Sequence, residues 1–388
     1  MKRPSRRIAL ALAAVGLVGM SAAGYVCNRQ DAGSRDPSFT LAAGGDILIH
    51  PEITEQAMRD AKDAGRPGPD FGAVMAGVKP VVSKADLAVC HLETVLAEPE
   101  GPFLGYRKFS VPPQIASTLK DLGYDTCSTA SNHVLDHGAE AVKRTLDTLD
   151  AAGLRHTGSA RSKREAATPV ILDVKGVKVA HLSYTYGFND TSLPEDKPWL
   201  ANVTDVKRMA ADERRARAAG AEVVIASVHW GRDGHNEASR TQLRLAERIA
   251  RDTGINLVIG HHAHVAQPFE KVRDTWVAYG LGNQVARHAE PLGITEEGAM
   301  GWFTFTRKGG KWSVTDARFV PTLVELKPKI RLVDVGAALR RRDLTDEQRA
   351  RYRTAYDRTR GIVLNRGAEK DGLRPLVITD GARPASVE

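Results

Sequence analysis

Five apolar, strand-like runs in this chain are each followed, within a few residues, by side chains that can bind a metal ion. The last run, residues 255–259, leads into Gly260-His261-His262-Ala263-His264. Ligands collect at the carboxyl ends of parallel strands. The pattern therefore favours a sheet in which these ends lie together. The donor side chains at the five ends are Asp46, Glu93, Asn132, His133, His229, His262 and His264.

Each of these residues also has an ordinary structural interpretation. Asp46 is compatible with a turn or a helix cap, Glu93 with a solvated charge, and His229 with a hydrogen-bonded core histidine. Their shared position after strand-like runs favours one common site. Carboxylate and imidazole donors without thiolate suit Zn²⁺, Mn²⁺ or Fe, and they suit a hydrolytic site with two metal ions.

Helical and strand-like patterns alternate along the chain, with glycine-containing hairpin signals between some of the strands. One hairpin is predicted at Lys175-Gly176 and another at Lys308-Gly309-Gly310. This alternation predicts a layered α/β domain in which two sheets lie between helices. Helical patterns occupy residues 52–64, 71–83, 112–122, 139–152, 206–219, 239–253 and 335–360.

The charge of the chain argues against a nucleic-acid partner. The formal net charge is +8, but four basic residues lie within the first 26, which contain no acid. The remaining +4 is too weak and too dispersed for a nucleic-acid-binding surface. The hydrophobic fraction of 42% places the chain among ordinary globular proteins.

The N-terminus resembles an export signal. A basic segment at residues 2–7 precedes an apolar segment at 8–20 and the small residues Ser21-Ala22-Ala23. Residues 1–26 are thus predicted to be a signal peptide or an N-terminal anchor, and residues 27–37 a linker. Ser5-Arg6-Arg7 also resembles a twin-arginine signal. The expected location is extracytoplasmic, either secreted or anchored in the membrane.

The three cysteines are Cys27, Cys90 and Cys127. This odd, small number indicates no disulfide framework. Because Cys90 and Cys127 each end an apolar run, we expect both to be buried free thiols.

A set of motifs resembles the poly-γ-glutamate capsule-synthesis proteins of the CapA type, a family similar to calcineurin-like metallophosphoesterases. The resemblance covers residues 38–325 and leaves residues 326–388 as a C-terminal helical extension and tail. The motifs occur in the order Gly45-Asp46, His91-Leu92-Glu93-Thr94, Ser131-Asn132-His133-Val134-Leu135-Asp136-His137-Gly138, His229-Trp230-Gly231, Gly260 to Gln267 and Tyr279-Gly280-Leu281-Gly282-Asn283.

The resemblance implies an α/β fold of four layers, α/β/β/α, with two divalent metal ions at the strand ends. It gives Asp46 and His264 to the first ion, Asn132, His229 and His262 to the second, and Glu93 to both. It makes His133 the proton donor and Asp136 its orienting partner. His50, His261 and Asn283 are further possible ligands or supporting groups.

The chain departs from the family pattern at four positions, of which Ala263, in place of a common proline, should matter little. His91 stands where asparagine is usual, Leu48 stands where the phosphoesterases have a histidine ligand, and Val134 replaces an acid. Three functions therefore stay open: a metal-dependent protein of capsule synthesis, a phosphoesterase, and a non-catalytic scaffold. The expected partners are an anionic polymer or a phosphate ester, together with membrane polymer-synthesis machinery. Arg107 and Arg232 are possible anion contacts, although each is also compatible with a solvated surface arginine.

Overall fold

Two β-sheets lie face to face in the computed structural model of the protein, which describes residues 36–288 and 293–378. The predicted signal peptide or anchor at residues 1–26, nearly all of the predicted linker, and residues 379–388 of the tail lie outside this range. The strands are β1 (Ser38–Ile47), β2 (Leu87–Leu92), β3 (Thr126–Ser128), β4 (Arg155–Thr157), β5 (Ile171–Val174), β6 (Val177–Thr185), β7 (Val223–His229), β8 (Leu257–His261), β9 (Phe269–Val272), β10 (Thr275–Ala278), β11 (Asn283–Val285), β12 (Glu297–Lys308), β13 (Lys311–Glu325), β14 (Arg331–Asp334) and β15 (Arg374–Pro375).

The parallel strands of both sheets carry the predicted ligands. The first sheet has the order β14-β13-β12-β1-β2-β3-β4, with β11 beside β1 and β15 beside β13. The second has the order β5-β6-β7-β8-β10-β9. Strands β1 to β4 run parallel to one another, as do β6, β7, β8 and β10. The predicted hairpins are present as the antiparallel pairs β5–β6 and β12–β13.

The helices cover the outer faces of the two sheets, and the alternation of apolar side chains explains why. In β2, Ala88 and Cys90 face the outer core, whereas Leu87 and Val89 face the second sheet. Both faces are buried, as expected for parallel strands. The helices are α1 (Pro51–Asp63), α2 (Gly72–Met75), α3 (Lys79–Val82), α4 (Gln114–Leu122), α5 (Gly138–Ala151), α6 (Lys163–Ala167), α7 (Val206–Ala218), α8 (Arg240–Asp252), α9 (Val335–Ala338) and α10 (Asp346–Leu364).

Three apolar cores separate the layers. One lies between the first sheet and helices that include α1, α4 and α5, one lies between the sheets, and one joins the second sheet to α7 and α8. The predicted four-layer α/β/β/α architecture is therefore confirmed. Beyond residue 325, the chain adds β14 and β15 to the first sheet and packs α10 against β13.

A disulfide joins Cys90 in β2 to Cys127 in β3. The expectation that both are free thiols is thus wrong. The two strands are neighbours, and their register places Cys90 directly opposite Cys127, with 4.4 Å between the Cα atoms. This proximity depends on strand pairing across 37 residues of sequence, which the spacing of the cysteines does not reveal.

Within residues 36–288 and 293–378, no helix combines the length and the hydropathy needed to cross a lipid bilayer.

Replacing both Cys90 and Cys127 by alanine should lower the free energy of unfolding by about 2–4 kcal/mol. Unfolding by urea, with and without reductant, measures this change. Reductant should lower the midpoint of the parent protein and leave the double variant unchanged. If the unfolding midpoint of the parent protein is the same with and without reductant, the result contradicts the disulfide.

Candidate metal centre

The inner faces of the two sheets change from apolar to polar toward the carboxyl ends of their strands. In β2, the alternation that turns Leu87 and Val89 inward continues to His91, and the next inward position is Glu93. In β7 it leads through Ile225 to His229. These ends meet between the sheets, where all three polar side chains are essentially inaccessible to solvent.

Asp46 reaches the same space because β1 shifts its register between Ala43 and Asp46. The backbone packs so closely there that a Cβ atom on Gly45 would lie 2.1 Å from the carbonyl oxygen of Gly282. Glycine is thus required at Gly45. The N–H of Asp46 donates to that carbonyl over 2.8 Å.

The Asp46 carboxylate is well satisfied by histidines. Its Oδ1 lies 3.1 Å from Nδ1 of His261, and its Oδ2 lies 3.2 Å from Nδ1 of His264. The backbone N–H of His262 also donates to Oδ2 over 3.1 Å. Burial alone would raise the pKa of Asp46, but the contacts with His261 and His264 hold it well below its usual range.

Glu93 is buried without any such support. Neither of its carboxylate oxygens has a hydrogen-bond partner among the described residues. Burial raises the pKa of Glu93 well above its usual value. Nε2 of His264 is 3.6 Å from Oε1, and Nε2 of His229 is 3.9 Å away. An unpaired buried carboxylate is costly, so this position fits a cation.

Two of the surrounding imidazoles are neutral, which is the form that binds metals. Burial, and then the neighbouring His264, lowers the pKa of His262 to about 4. Burial also holds the pKa of His229 well below its usual value. Nδ1 of His262 has no partner among the described residues, and Nε2 of His229 lies 2.9 Å from Oδ1 of Asn132.

His264 lies close to both the Asp46 and the Glu93 carboxylates. Burial would lower its pKa, but the Glu93 and Asp46 carboxylates raise it to about 10. Nδ1 of His264 lies 2.9 Å from Oδ1 of Asn283, so Nε2 is turned toward Glu93. His262 and His264 have φ angles of +90° and +55°. Such strained backbone costs roughly 1–3 kcal/mol per residue and is concentrated at functional sites.

These side chains form overlapping groups able to hold a metal ion: Glu93 with His262 and His264, Glu93 with His91 and His229, and Asp46 with His91 and His261. The rings of His91 and His261 stack 4.0 Å apart at 18°. The two ring planes are therefore almost parallel and separated, so lone pairs that lie in them do not converge on one ion. The groups centred on Glu93 fit an ion better.

His133 and Asp136 lie beside this cluster. Nδ1 of His133 is 2.7 Å from Oδ2 of Asp136, which also accepts the backbone N–H of Phe109 over 2.8 Å. Asn189 donates toward Nε2 of His133 over 3.3 Å. This pairing fixes the imidazole and directs Nε2 away from Asp136.

A cleft of about 530 Å³ opens above the cluster. Asn132, His133, His262 and His264 line its inner part, while Tyr106, Arg107, Tyr186 and Asp190 line the remainder. Leu48, at the position where the phosphoesterases have a histidine ligand, also lines the cleft and offers no donor. An exposed ion pair of 2.9 Å joins Arg107 to Asp190.

The structure brings together all eight residues that the sequence singled out for the site. Asp46, Glu93, Asn132, His229, His262 and His264 surround one space, with His133 and Asp136 adjacent. The contact of Asn189 with His133 is not predicted from the sequence, because Asn189 lies in an irregular loop that carries no motif. His91 was noted as a departure, but its contact with His229 was not foreseen.

The fold and the site together define a layered α/β/β/α protein with a carboxylate and imidazole cluster at its strand ends that is able to hold a metal ion. The chain matches the model of the family described as "Bacterial capsule synthesis protein PGA_cap" over residues 40–288, more than half of its length. The chain belongs to this family, and the family predicted from the motifs is confirmed.

The relatives agree with this classification. The chain is 27% identical over 254 residues to the capsule biosynthesis protein CapA of Bacillus anthracis, covering 64% of this chain and 59% of that relative. It is 30% identical over 182 residues to the PGA biosynthesis protein CapA of Bacillus subtilis, covering 43% and 44%. Thus the chain spans less than two thirds of either relative.

Among solved structures, the calcineurin-like phosphoesterase YfkN of Bacillus subtilis aligns with a TM-score of 0.44 at 14% identity. The alignment covers 84% of this chain and 98% of that structure.

Replacing Glu93 by glutamine should reduce the bound transition metal by at least half, because Glu93 belongs to two of the ligand groups. Elemental analysis of protein purified without chelator measures this loss. Glu213→Gln is a matched control, since Glu213 is buried but paired with Arg217. After chelator treatment, Glu93→Gln should be at least as stable as the parent protein, because a buried carboxyl group without a hydrogen-bond partner is gone. Equal metal content in the variant and the parent would contradict the site.

Proposed function

We propose that this protein is an extracytoplasmic, metal-dependent hydrolase that serves capsule synthesis of the poly-γ-glutamate type. One observation carries the proposal. The Glu93 carboxylate has no hydrogen-bond partner among the described residues and lies beside His229 and His264 below an open cleft, with the His133–Asp136 pair adjacent. A structural zinc site would more often use cysteines close together in sequence.

The donor set fits two divalent cations, with Mn²⁺, Zn²⁺ or Fe as the candidates. Asp46, Glu93 and His264 would hold one of them, and Glu93, Asn132, His229 and His262 the other. Such ions, when bound, polarise substrate oxygens and make water acidic enough to react near neutral pH.

The chain itself supplies the proton for the leaving group. Because Asp136 accepts the Nδ1–H of His133 in the proposed arrangement, Nε2 is the atom that exchanges a proton with the substrate. Asn189 approaches the same nitrogen. Asp136 is held in place by the N–H of Phe109 and so keeps the ring oriented.

An anionic polymer is the substrate that the family name and the cleft both support. The names of the two CapA relatives connect those proteins with capsule and PGA biosynthesis. Arg107 lines the same cleft as the proposed metal ligands and provides a positive charge there. Its partner Asp190 is exposed, so an anionic substrate can replace Asp190 in the contact with Arg107. We place the membrane polymer-synthesis machinery among the partners and expect no nucleic acid.

Two features support a location outside the cytoplasm. The first is the export-like segment at residues 1–26. The second is the Cys90–Cys127 disulfide, because disulfides persist in oxidising compartments and are rare in the cytosol.

Hydrolysis of a phosphate ester is the second candidate activity. The mixture of carboxylate, amide and imidazole donors in the cluster is suited to the two-metal sites of phosphatases and nucleases. Both candidates use the same residues and differ in the substrate that fits the cleft.

The experiment that separates these functions follows the chain length of poly-γ-glutamate and the hydrolysis of bis(p-nitrophenyl) phosphate by metal-loaded protein. Shortening of the polymer supports the proposal. Turnover of the ester alone supports the phosphoesterase. Natural phosphate esters are tested as well. If folded, metal-loaded protein acts on neither substrate class, the result favours a non-catalytic scaffold.

Replacing His133 by alanine should lower kcat by roughly 10²–10⁴-fold, because the leaving group then departs without its proton donor. Metal content should not change. His156→Ala is the matched control, since His156 forms a similar pair with Asp150 outside the cleft and should keep full activity. An active His133→Ala protein would remove His133 from the mechanism.

Substitution of Arg107 by glutamine should raise KM for the polymer by about 3–10-fold at low salt, with little change at high salt. Asp190→Asn should have the opposite effect, since it frees Arg107. Steady-state kinetics at two ionic strengths measure both. Arg251→Gln removes an exposed arginine paired with Asp252 outside the cleft and serves as the control. Equal KM values in all four proteins would exclude Arg107 from substrate binding.

A further inference from the structure

His91 lies directly beneath the proposed metal centre and contacts one of its ligands. Nε2 of His91 is 3.0 Å from Nδ1 of His229, and Nδ1 of His91 is 2.8 Å from Oγ of Ser128. The ring is fully buried and stacks on His261, which prevents its free rotation. His91 therefore connects His229 to Ser128 through its two ring nitrogens.

Nε2 of His91 and Nδ1 of His229 lie within hydrogen-bond distance of each other. An imidazole that accepts a hydrogen bond or binds a metal ion at one ring nitrogen is neutral and carries its single N–H on the other. A close contact between two ring nitrogens needs one donor and one acceptor. Two arrangements of the Ser128–His91–His229 series satisfy this condition.

In the first arrangement, His229 donates from Nδ1 to His91, which donates from its own Nδ1 to Ser128. The Ser128 hydroxyl then donates to the carbonyl of Cys90, 3.3 Å away. Nε2 of His229 keeps a free lone pair, 3.9 Å from Glu93. This is the arrangement in which His229 can bind a metal ion.

In the second arrangement, every donor is reversed. Ser128 donates to His91, His91 donates from Nε2 to His229, and His229 donates from Nε2 to Oδ1 of Asn132 over 2.9 Å. The ring nitrogens of both histidines are satisfied in this arrangement, but the Nε2 atom of His229 that faces Glu93 now carries a proton. His229 cannot then bind a metal ion.

His264, another of the proposed ligands, is held differently. Nδ1 of His264 faces Oδ1 of Asn283, whose amide nitrogen donates to the carbonyl oxygens of His264 and Thr295. An amide oxygen only accepts, so Nδ1 of His264 keeps its proton and Nε2 is the nitrogen left for a metal ion. The tautomer of His229 depends instead on a partner that can both donate and accept.

We infer that His91 is a positioning residue, which accepts the Nδ1–H of His229 and thereby presents Nε2 of His229 to the metal ion. The inference rests on the metal centre of the proposed function. Binding of the ion selects the first arrangement and reverses the hydrogen bonds as far as Ser128.

The test compares metal binding by the full chain and three variants. His91→Leu removes the acceptor, whereas His91→Gln retains one, because the glutamine amide oxygen can reach the Nε2 position. His181→Leu is the matched control. His181 is equally buried and lies between Thr126 and Ser227, without contact to a proposed ligand.

Affinity for Zn²⁺ is measured by competition with a chromophoric chelator, and thermal unfolding is measured alongside. His91→Leu should bind one of the two ions about 10–100-fold more weakly, the usual effect of losing a partner that orients a ligand. His91→Gln should restore most of this affinity. His181→Leu should lower the melting temperature and leave the affinity unchanged.

Nitrogen NMR of histidine-labelled parent protein gives a second measurement that does not depend on a variant that folds. Addition of Zn²⁺ should move the proton of His229 from Nε2 to Nδ1, and that of His91 from Nε2 to Nδ1. A zinc-loaded protein in which His91 keeps its proton on Nε2 would overturn the inference.

The outcomes also separate this inference from the proposed metal centre. If the parent protein binds no Zn²⁺, the metal centre and the inference both fail. If the parent binds Zn²⁺ and a folded His91→Leu protein binds it equally well, only the inference fails. A loss of affinity in His181→Leu as large as that in His91→Leu would indicate a general structural effect and would also overturn it.

Discussion

The contact between the inner faces of the two sheets is the constraint on which the rest of the molecule depends. Apolar side chains fill one half of this interface, and imidazoles and carboxylates fill the other. Charges buried there must be compensated within the interface. Asp46 is compensated by His261, His264 and a backbone N–H, whereas Glu93 has no hydrogen-bond partner among the described residues. The imbalance supports a cation as part of the folded structure.

Two features outside the cluster fix the strands of the first sheet that carry part of it. A glycine at position 45 allows β1 to approach Gly282 and to turn Asp46 inward. The Cys90–Cys127 bond joins the two strands on their opposite face, one residue before His91 and Ser128. The neighbouring strand positions, His91 and Ser128, therefore share one rigid support.

Sequence patterns predict the parts of this protein that depend on local periodicity. Parallel strands with donors after their carboxyl ends bring Glu93 and His229 together, because side chains alternate with a period of two. The register shift that turns Asp46 inward depends on pairing with β2 and β11, which no local pattern specifies. Likewise, the local sequence pattern does not distinguish His91, within an apolar run, from an ordinary core histidine. Its role depends on the 3.0 Å contact with His229, which only the folded structure shows.

Leu48, which offers no donor, makes the two halves of the proposed centre unequal. In the proposed assignment, Glu93, Asn132, His229 and His262 would hold one ion. Asp46, Glu93 and His264 would hold the other, and Leu48 lines the same cleft. Nearby, the exposed Asp233 carboxylate lies 3.7 Å from Nε2 of His264. A donor on an exposed side chain loses more conformational freedom on binding than one fixed in a strand. Even with Asp233 as a ligand, the half formed by Asp46, Glu93 and His264 would therefore hold its ion more weakly. The proposed activity would then depend on the fraction of protein molecules in which this half contains an ion.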